Sequence, residues 1–481
     1  MDAREPTEVA IAFYTATRMS SSSAAAASSP SLAGHLEWLF GRLNFERLAA
    51  GKYQIGDFEL ARMQRLLREL DDPHLKTPCV HVAGSKGKGS VVYLVDQMLI
   101  AAGHRVGRFT SPHREHYRER IALDGVPIDD ARLAAAFSTV RPVVDALETD
   151  GCGATFFEVS TALGWVAFDQ HGADVAVVEV GLGGRLDSTN LCRPWATAIV
   201  SISHDHGHLL GHGLDEIARE KAGILKPGVP TVMGDLPPEA ASEVRQVAGR
   251  VASPVWQVGV DLLAEPRGEQ KVEVTSPIGS STAVQRLAGT HQRENLAVAV
   301  GLVHRLRPHL DIPDEAIARG TAAVEVPLRI EVVRNRPRVV LDVAHNGASV
   351  AALLSTLSPP AGRRFAIFGT SSDKHVDEML QEMSGHFEHV YLSRYSSNPR
   401  ALPVGDLAAL AATHLDCETT VCDSVEVALA RAERGLRDDD DLLIFGSFFL
   451  AIEAQAALQS DRSADDHATS DPVTANRRPA S

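Results

Sequence analysis

The run CVHVAGSKGKGSVV, residues 79–92, constrains this 481-residue chain more than any other segment: a short β-branched strand ends in a turn of glycines and lysines and passes directly into an apolar helix. Gly84, Gly87 and Gly89 let successive backbone N–H groups point at one spot, with Ser85 among them. Lys88 brings a flexible positive charge there, and Ser90 opens a helix whose N-terminus favours anions. Such a turn holds phosphate. The strict GxxxxGK[ST] pattern fails, because Gly89 separates the Gly-Lys pair from the hydroxyl residue, so an ordinary surface turn is the competing reading at this point.

With 62 acidic against 47 basic residues and a net charge of −15, the chain has no broad basic surface, which excludes nucleic acid as the main partner. A small anion must then be held by local devices. Lysine is scarce: of eight in the chain, Lys86, Lys88, Lys221, Lys226 and Lys374 fall in the segments discussed here. Cys79, Cys152, Cys192, Cys417 and Cys422 are odd in number and form no CxxC pair, so they read as buried free thiols rather than a disulfide framework or a zinc cluster. No apolar run approaches the ~20 residues of a membrane span. Residues 1–34 carry VAIAFY and SSSSAAAASSPS, but Asp2, Glu5 and Glu8 spoil a signal or transit peptide; a disordered leader and a cytoplasmic protein are expected, with translation from Met19 as an alternative.

Residues 35–70 read as helical, with apolar residues such as Leu60, Met63, Leu66 and Leu67 at helix spacing. From Cys79 to Val200, strands (CVHVA, RVGRFT, DVAVVEV, ATAIVSI) alternate with amphipathic helices, the pattern of a mostly parallel sheet with helices on both faces. Ligands then gather at the carboxyl ends of the strands. Residues 251–287 read as short hairpin strands. A second α/β unit begins near residue 325, giving domains over 35–324 and 325–458, with a polar, disordered tail over 459–481.

Residues suited to chemistry follow the strands directly. Ser111, after RVGRFT, can serve a Mg²⁺ ion or a substrate, or simply form a Ser-Pro turn. Glu179 ends an otherwise apolar strand, where a carboxylate is costly to bury without a cation; a metal ion or Arg185 could supply it. Four histidines (His204, His206, His208, His212) follow ATAIVSI, yet Asp205 and the absence of cysteine favour Mg²⁺ over zinc. Lys221, on the helix DEIAREKAGIL, reads in isolation as a surface lysine paired with Glu220 or Asp215. Asp342, His345 and Asn346 end the strand RVVLDV, with Arg329 before it; they either cap the next helix or contact a ribose or phosphate.

Taken in order, HVAGSKGKGS, FTSPH, ERI, FFEVSTA, VVEVGLGGRLDSTN, HDH, EIAREKAGILKPGVP, HQRENLA, LDVAHN, SDK and NPRAL resemble the folylpolyglutamate synthase and dihydrofolate synthase family of Mur-type amide ligases, over residues 35–454. The resemblance implies an α/β fold of two domains: an N-terminal P-loop-type, mostly parallel sheet flanked by helices, and a smaller C-terminal Rossmann-like domain. It implies ATP-dependent ligation of L-glutamate to a dihydropteroate or folate carboxylate. Lys88 would bind ATP phosphates, while Ser111, Glu179 and His206 would hold Mg²⁺. Lys221 matches a lysine carried as a carbamate, able to join a second Mg²⁺. Asn295, Arg329, Asp342 and His345 match nucleotide contacts, and Asp373 and Lys374 match a segment near the cleft. Small-molecule substrates and a monomeric enzyme are implied, with Lys88, Lys221 and His206 acting in catalysis. The chain departs from the family pattern where Ser85-Lys86 replaces Thr-Asn, where Leu328 replaces a glycine before Arg329, and where DVAHN replaces DGAHN. Two other readings compete: another Mur-type amino-acid ligase, and a non-catalytic ATP-binding protein.

Overall fold

A computed structural model describes residues 31–46, 59–204, 210–211 and 213–468. Its largest sheet contains β1 (Cys79–Ala83), β2 (Val106–Phe109), β3 (Ile121–Leu123), β4 (Val126–Pro127), β5 (Val175–Glu179), β6 (Pro194–Ile199), β7 (Thr231–Met233) and β8 (Val255–Gln257). Their order is β4-β3-β2-β5-β1-β6-β7-β8. The six strands from β2 to β8 in that order run parallel, and the β3–β4 hairpin adds an antiparallel edge.

Side chains alternate across the sheet, as the strand period of two demands. Val80, Val82, Val175 and Val177 join the core on one face, with the helices Lys88–Ala101 and Thr290–Leu306. Cys79, Ala176 and Val178 join the opposite core with the helices Asp130–Thr149 and Phe156–His171. A meander of β9 (Leu263–Pro266), β10 (Lys271–Ser276) and β11 (Gly279–Val284) covers the first core. It is pinned to the helix below by His304, whose Nδ1 and Nε2 lie 2.8 and 2.7 Å from the hydroxyls of Ser276 and Ser281.

The second sheet contains β12 (Glu331–Asn335), β13 (Arg338–Leu341), β14 (Arg364–Phe368), β15 (His389–Leu392), β16 (Glu418–Val421) and β17 (Asp441–Phe445), in the order β12-β13-β17-β14-β15-β16. Only β12 is antiparallel to its neighbour. An unstructured tail from residue 459 is not what the structure has: the helix begun at Phe448 continues through Ala468. Leu450, Ala451 and Ala454 anchor its first turns in the core, and Ala457 and Leu458 pack against the same cluster one turn further on. Residues 1–30 of the expected leader, and 469–481 of the expected tail, lie outside the described residues.

Candidate functional site

The glycine turn leaves β1 between its two parallel neighbours β5 and β6, where strand order reverses and a crevice opens. Its backbone is stapled to the segment after β6. Ser85 N–H donates to the Ser201 carbonyl at 2.8 Å, Lys86 N–H donates to Ser201 Oγ at 2.9 Å, and that hydroxyl donates back to the Lys86 carbonyl at 2.9 Å. Gly87 has φ +77° and caps the helix Lys88–Ala101; a Cβ there would stand 2.4 Å from Asn295 Oδ1. The turn therefore needs its glycine and places Asn295 against it, and Asn295 Nδ2 is held by Gln292 Oε1 at 2.9 Å.

Parallel pairing brings the two oxygen donors together. Val82 of β1 faces Glu179 of β5, and Phe109 of β2 faces Val178, so Ser111, two residues beyond Phe109, reaches Glu179. Ser111 N–H donates to Glu179 Oε2 at 3.3 Å. Arg185, the alternative partner of Glu179, is instead paired with Glu220 at 2.9 Å. Burial pushes the Glu179 carboxyl above its ordinary range, against the pull of the Lys88 and Arg329 charges and the Ser111 N–H. Such a buried hard-oxygen donor beside a hydroxyl residue suits Mg²⁺. Among the described residues no three His, Cys, Asp or Glu side chains gather as a metal site; His206, with Asp205, His208 and His212, lies outside the described residues.

Lys221 is not a surface lysine. It is 4% exposed, and its Nζ donates to the Gly84 carbonyl at 3.2 Å. Lys88 Nζ donates to the same oxygen at 3.0 Å, so two amines converge on one carbonyl. The segments VVEVGLGGRLDSTN and EIAREKAGILKPGVP interlock to put Lys221 there. A Cβ on Gly184 would lie 2.8 Å from the carbonyls of Glu220 and Lys221, so the loop after β5 lies directly on the end of the helix Leu214–Ala222. Asn190 Nδ2 donates to the Gly223 carbonyl at 3.1 Å, and Lys226 Nζ donates to the Asn190 carbonyl at 2.7 Å.

The ERI motif shapes the far wall. The Glu119 carboxylate accepts the backbone N–H groups of Arg114, Glu115 and His116 at 2.7, 3.1 and 2.9 Å. Arg120, fully buried, donates to His113 Nδ1 at 2.7 Å and forms a bidentate pair with Glu46 at 2.9 and 2.6 Å.

From the second domain, Arg329 stands between Leu328 at φ +57° and Ile330 at φ +50°. This left-handed stretch is costly for branched residues and is held by Asp342, whose carboxylate accepts Ile330 N–H at 2.9 Å and Ala344 N–H at 2.7 Å. Burial raises the Asp342 carboxyl despite the nearby Arg329. Asn346, not Asp342, caps the next helix (Gly347–Thr356), accepting Ser349 N–H at 3.0 Å. His345 Nδ1 lies 2.8 Å from the Val343 carbonyl, which fixes the ring.

One cavity of about 580 Å³ is lined by Ser85 to Ser90, Ser111, Glu179 and Asn295 on one side and by Arg329, Asp342 and His345 on the other. Asp373 and Lys374 are not among its lining residues; Asp373 pairs with Arg400. Lys221 lies behind the wall, under Gly84. The cavity also meets Lys86, Tyr93, Glu119 and His291, to which the sequence reading assigned no role. The scarcity of lysine and the Ser85-Lys86 pair in place of Thr-Asn are the signals that single out Lys86 in the sequence.

Residues 328–448 match the family model described as Mur ligase, glutamate ligase domain. The chain is 36% identical over 385 residues to the dihydrofolate synthase/folylpolyglutamate synthase of Bacillus subtilis (strain 168), covering 77% of this chain and 86% of that protein. The chain belongs to the folylpolyglutamate synthase/dihydrofolate synthase family. Within that family, the folylpolyglutamate synthase of Lacticaseibacillus casei is 33% identical over 431 residues, 87% of this chain and 97% of its own length. A solved synthase, E. coli FolC in complex with DHPP and ADP, superposes with a TM-score of 0.79 at 26% identity, over 90% of this chain and all of that one. The two-domain α/β architecture is therefore that of the synthase family.

Proposed function

We propose that this chain uses ATP to join L-glutamate to the carboxylate of dihydropteroate, to the γ-carboxylate of reduced folates, or to both, releasing ADP and phosphate. The observation that carries the reading is the cavity between the domains, in which a phosphate-type glycine loop with Lys88 and the Ser111–Glu179 pair faces Arg329, Asp342 and His345. Its volume of about 580 Å³ suits a nucleotide-sized ligand.

A carboxylate is a poor acyl donor, so an oxygen of the acceptor attacks the γ-phosphorus and ADP departs. The glutamate amine then attacks the acyl carbon of the resulting acyl phosphate and loses a proton. The tetrahedral adduct expels phosphate with the bonding electron pair. Lys88 swings from the Gly84 carbonyl to the β,γ-phosphates and offsets the charge that develops there. Mg²⁺, when bound by Glu179, Ser111 and His206, supplies further charge neutralisation on the triphosphate. Asn295, Arg329, Asp342 and His345 hold the nucleoside end, and the walls of the cleft between the two domains keep water from the acyl phosphate.

Lys221 completes the proposal as a carbamate: its neutral amine adds to CO₂ and releases a proton, turning a cation into an oxygen donor for a second Mg²⁺. The burial of Lys221 beside the phosphate loop, with its Nζ on the Gly84 carbonyl, supports this reading. The enzyme is proposed to act as a cytoplasmic monomer; no helix of the described residues is long and apolar enough to cross a membrane.

The test is phosphate release from ATP with L-glutamate plus dihydropteroate, tetrahydrofolate, or neither. Release that requires one of the acceptors is expected; release indifferent to both would make the protein a plain ATPase. Intact-mass analysis under CO₂-rich buffer that finds Lys221 unmodified would remove the carbamate.

A further inference from the structure

The glycine turn carries a second lysine, and it does not point at the position that Lys88 serves. Both backbone polar groups of Lys86 are tied to Ser201. Its side chain crosses the cleft and donates from Nζ to Asn346 Oδ1 at 2.5 Å, a contact between residues 260 positions apart in the chain. Asn346 is at the same time the N-cap of the helix Gly347–Thr356, and its Oδ1 accepts Ser349 N–H as well. Lys86 thus grips the first turn of the helix that follows His345, and both residues line the cavity. The Lys86 and Arg329 charges also add to burial in lowering the pKa of His291, which places that ring in the same cationic corner.

We infer that Lys86 is a positioning residue: it tethers the second domain across the cleft, setting Arg329, Asp342 and His345 at a fixed distance from the phosphate loop, so that nucleotide binds to a cleft already assembled. The inference rests on the nucleotide seat proposed above, not on the identity of the acceptor. Two features set Lys86 apart from Lys88, whose ammonium rests on the Gly84 carbonyl of its own turn. The Lys86 backbone cannot swing, because Ser201 holds both its N–H and its carbonyl, and its ammonium is engaged by an oxygen of the other domain. Without the tether the two halves of the seat become separately mobile, and nucleotide must supply the ordering itself.

The test is a double-mutant cycle on the full-length protein, read by equilibrium binding of ADP and by small-angle scattering. K86M keeps the length of the side chain and removes its charge. N346S keeps a capping hydroxyl but is too short to reach Lys86. Each variant is expected to bind ADP about tenfold more weakly, as suits loss of one charge-assisted hydrogen bond, and to show a larger radius of gyration without ligand. The double variant should be no weaker than either single one, and K86R should restore most of the affinity. Thermal midpoints close to the parent's show that folding is intact. Additive losses, or a K86M loss with N346S unaffected, would make Lys86 a phosphate ligand and overturn the tether. Neither variant changing ADP binding would overturn it too. Because ADP binding needs no acceptor, a failed ligation assay would sink the proposed function while leaving this result readable.

Discussion

Replacing Gly87 by Ala probes the phosphate turn at its tightest point. Two costs can be assigned from the structure. At φ +77° an L-residue gives up about 1–2 kcal/mol to left-handed crowding. The new Cβ would also lie 2.4 Å from Asn295 Oδ1, so the amide must rotate away and lose its bond to Gln292 at 2.9 Å, about another 1 kcal/mol. Together these come to about 2–3 kcal/mol. Because the strain sits in the loop that would cradle phosphate, ADP affinity should fall by a factor between about ten and a hundred. Urea unfolding and calorimetric titration with ADP measure the two effects separately. N295A in the G87A background removes the obstructing amide, so part of the lost stability should return, although ADP binding stays weak because Asn295 itself faces the cavity. A G87A protein as stable and as ADP-competent as the parent would refute the argument, and so would a double variant whose instability is the sum of the two single ones.

Glu179→Gln removes a charge that burial opposes, so its thermal midpoint should equal or exceed the parent's, while Mg-dependent turnover drops by about a hundredfold or more; steady-state kinetics and calorimetry together check this. His304 is fully buried and neutral, with its pKa lowered by burial from 6.5 to about 4. The unfolded chain takes up that proton first, so stability is lost as pH falls from 6.5 toward 4, by up to about 3 kcal/mol. A His304→Gln variant should lack this part of the acid slope, and parallel pH–stability curves for the two proteins would contradict the assignment. Leu328→Gly relieves a left-handed residue, a gain of about 1 kcal/mol, but empties a site that is 1% exposed, a loss of about 2–5 kcal/mol; denaturant midpoints should therefore fall, and a rise would show that strain outweighs packing.

Much of this fold was readable in advance because strands buried on both faces announce themselves as unbroken apolar runs. Glu179 stood out for the same reason, as a carboxylate where the pattern wants valine. Lys221 shows where such reading stops. Its helix has one apolar face, and nothing local says that a loop lacking a side chain at Gly184 lies directly on the last turn and turns that lysine inward. Short strands such as β7, three residues long, and the β3–β4 hairpin escape such reading, since so few residues carry no measurable period. The Asp342 carboxylate looked like a helix cap or a ligand contact, and it holds a strained backbone as well, a role visible only once Leu328 and Ile330 are seen at positive φ. Lys86 was noticed only as an unusual residue type, because its partner is 260 positions away.

The placement of β1 at the middle of its sheet, with β5 and β6 on either side and every one of its residues buried, bears on how the protein fails. Amide hydrogens there exchange only when the whole unit opens, whereas β4 and β9, exposed strands at the edges of their sheets, can fray and re-form without cost to the crevice. Mild heat or denaturant should thus erode the periphery first, and competence to capture nucleotide should vanish late and all at once.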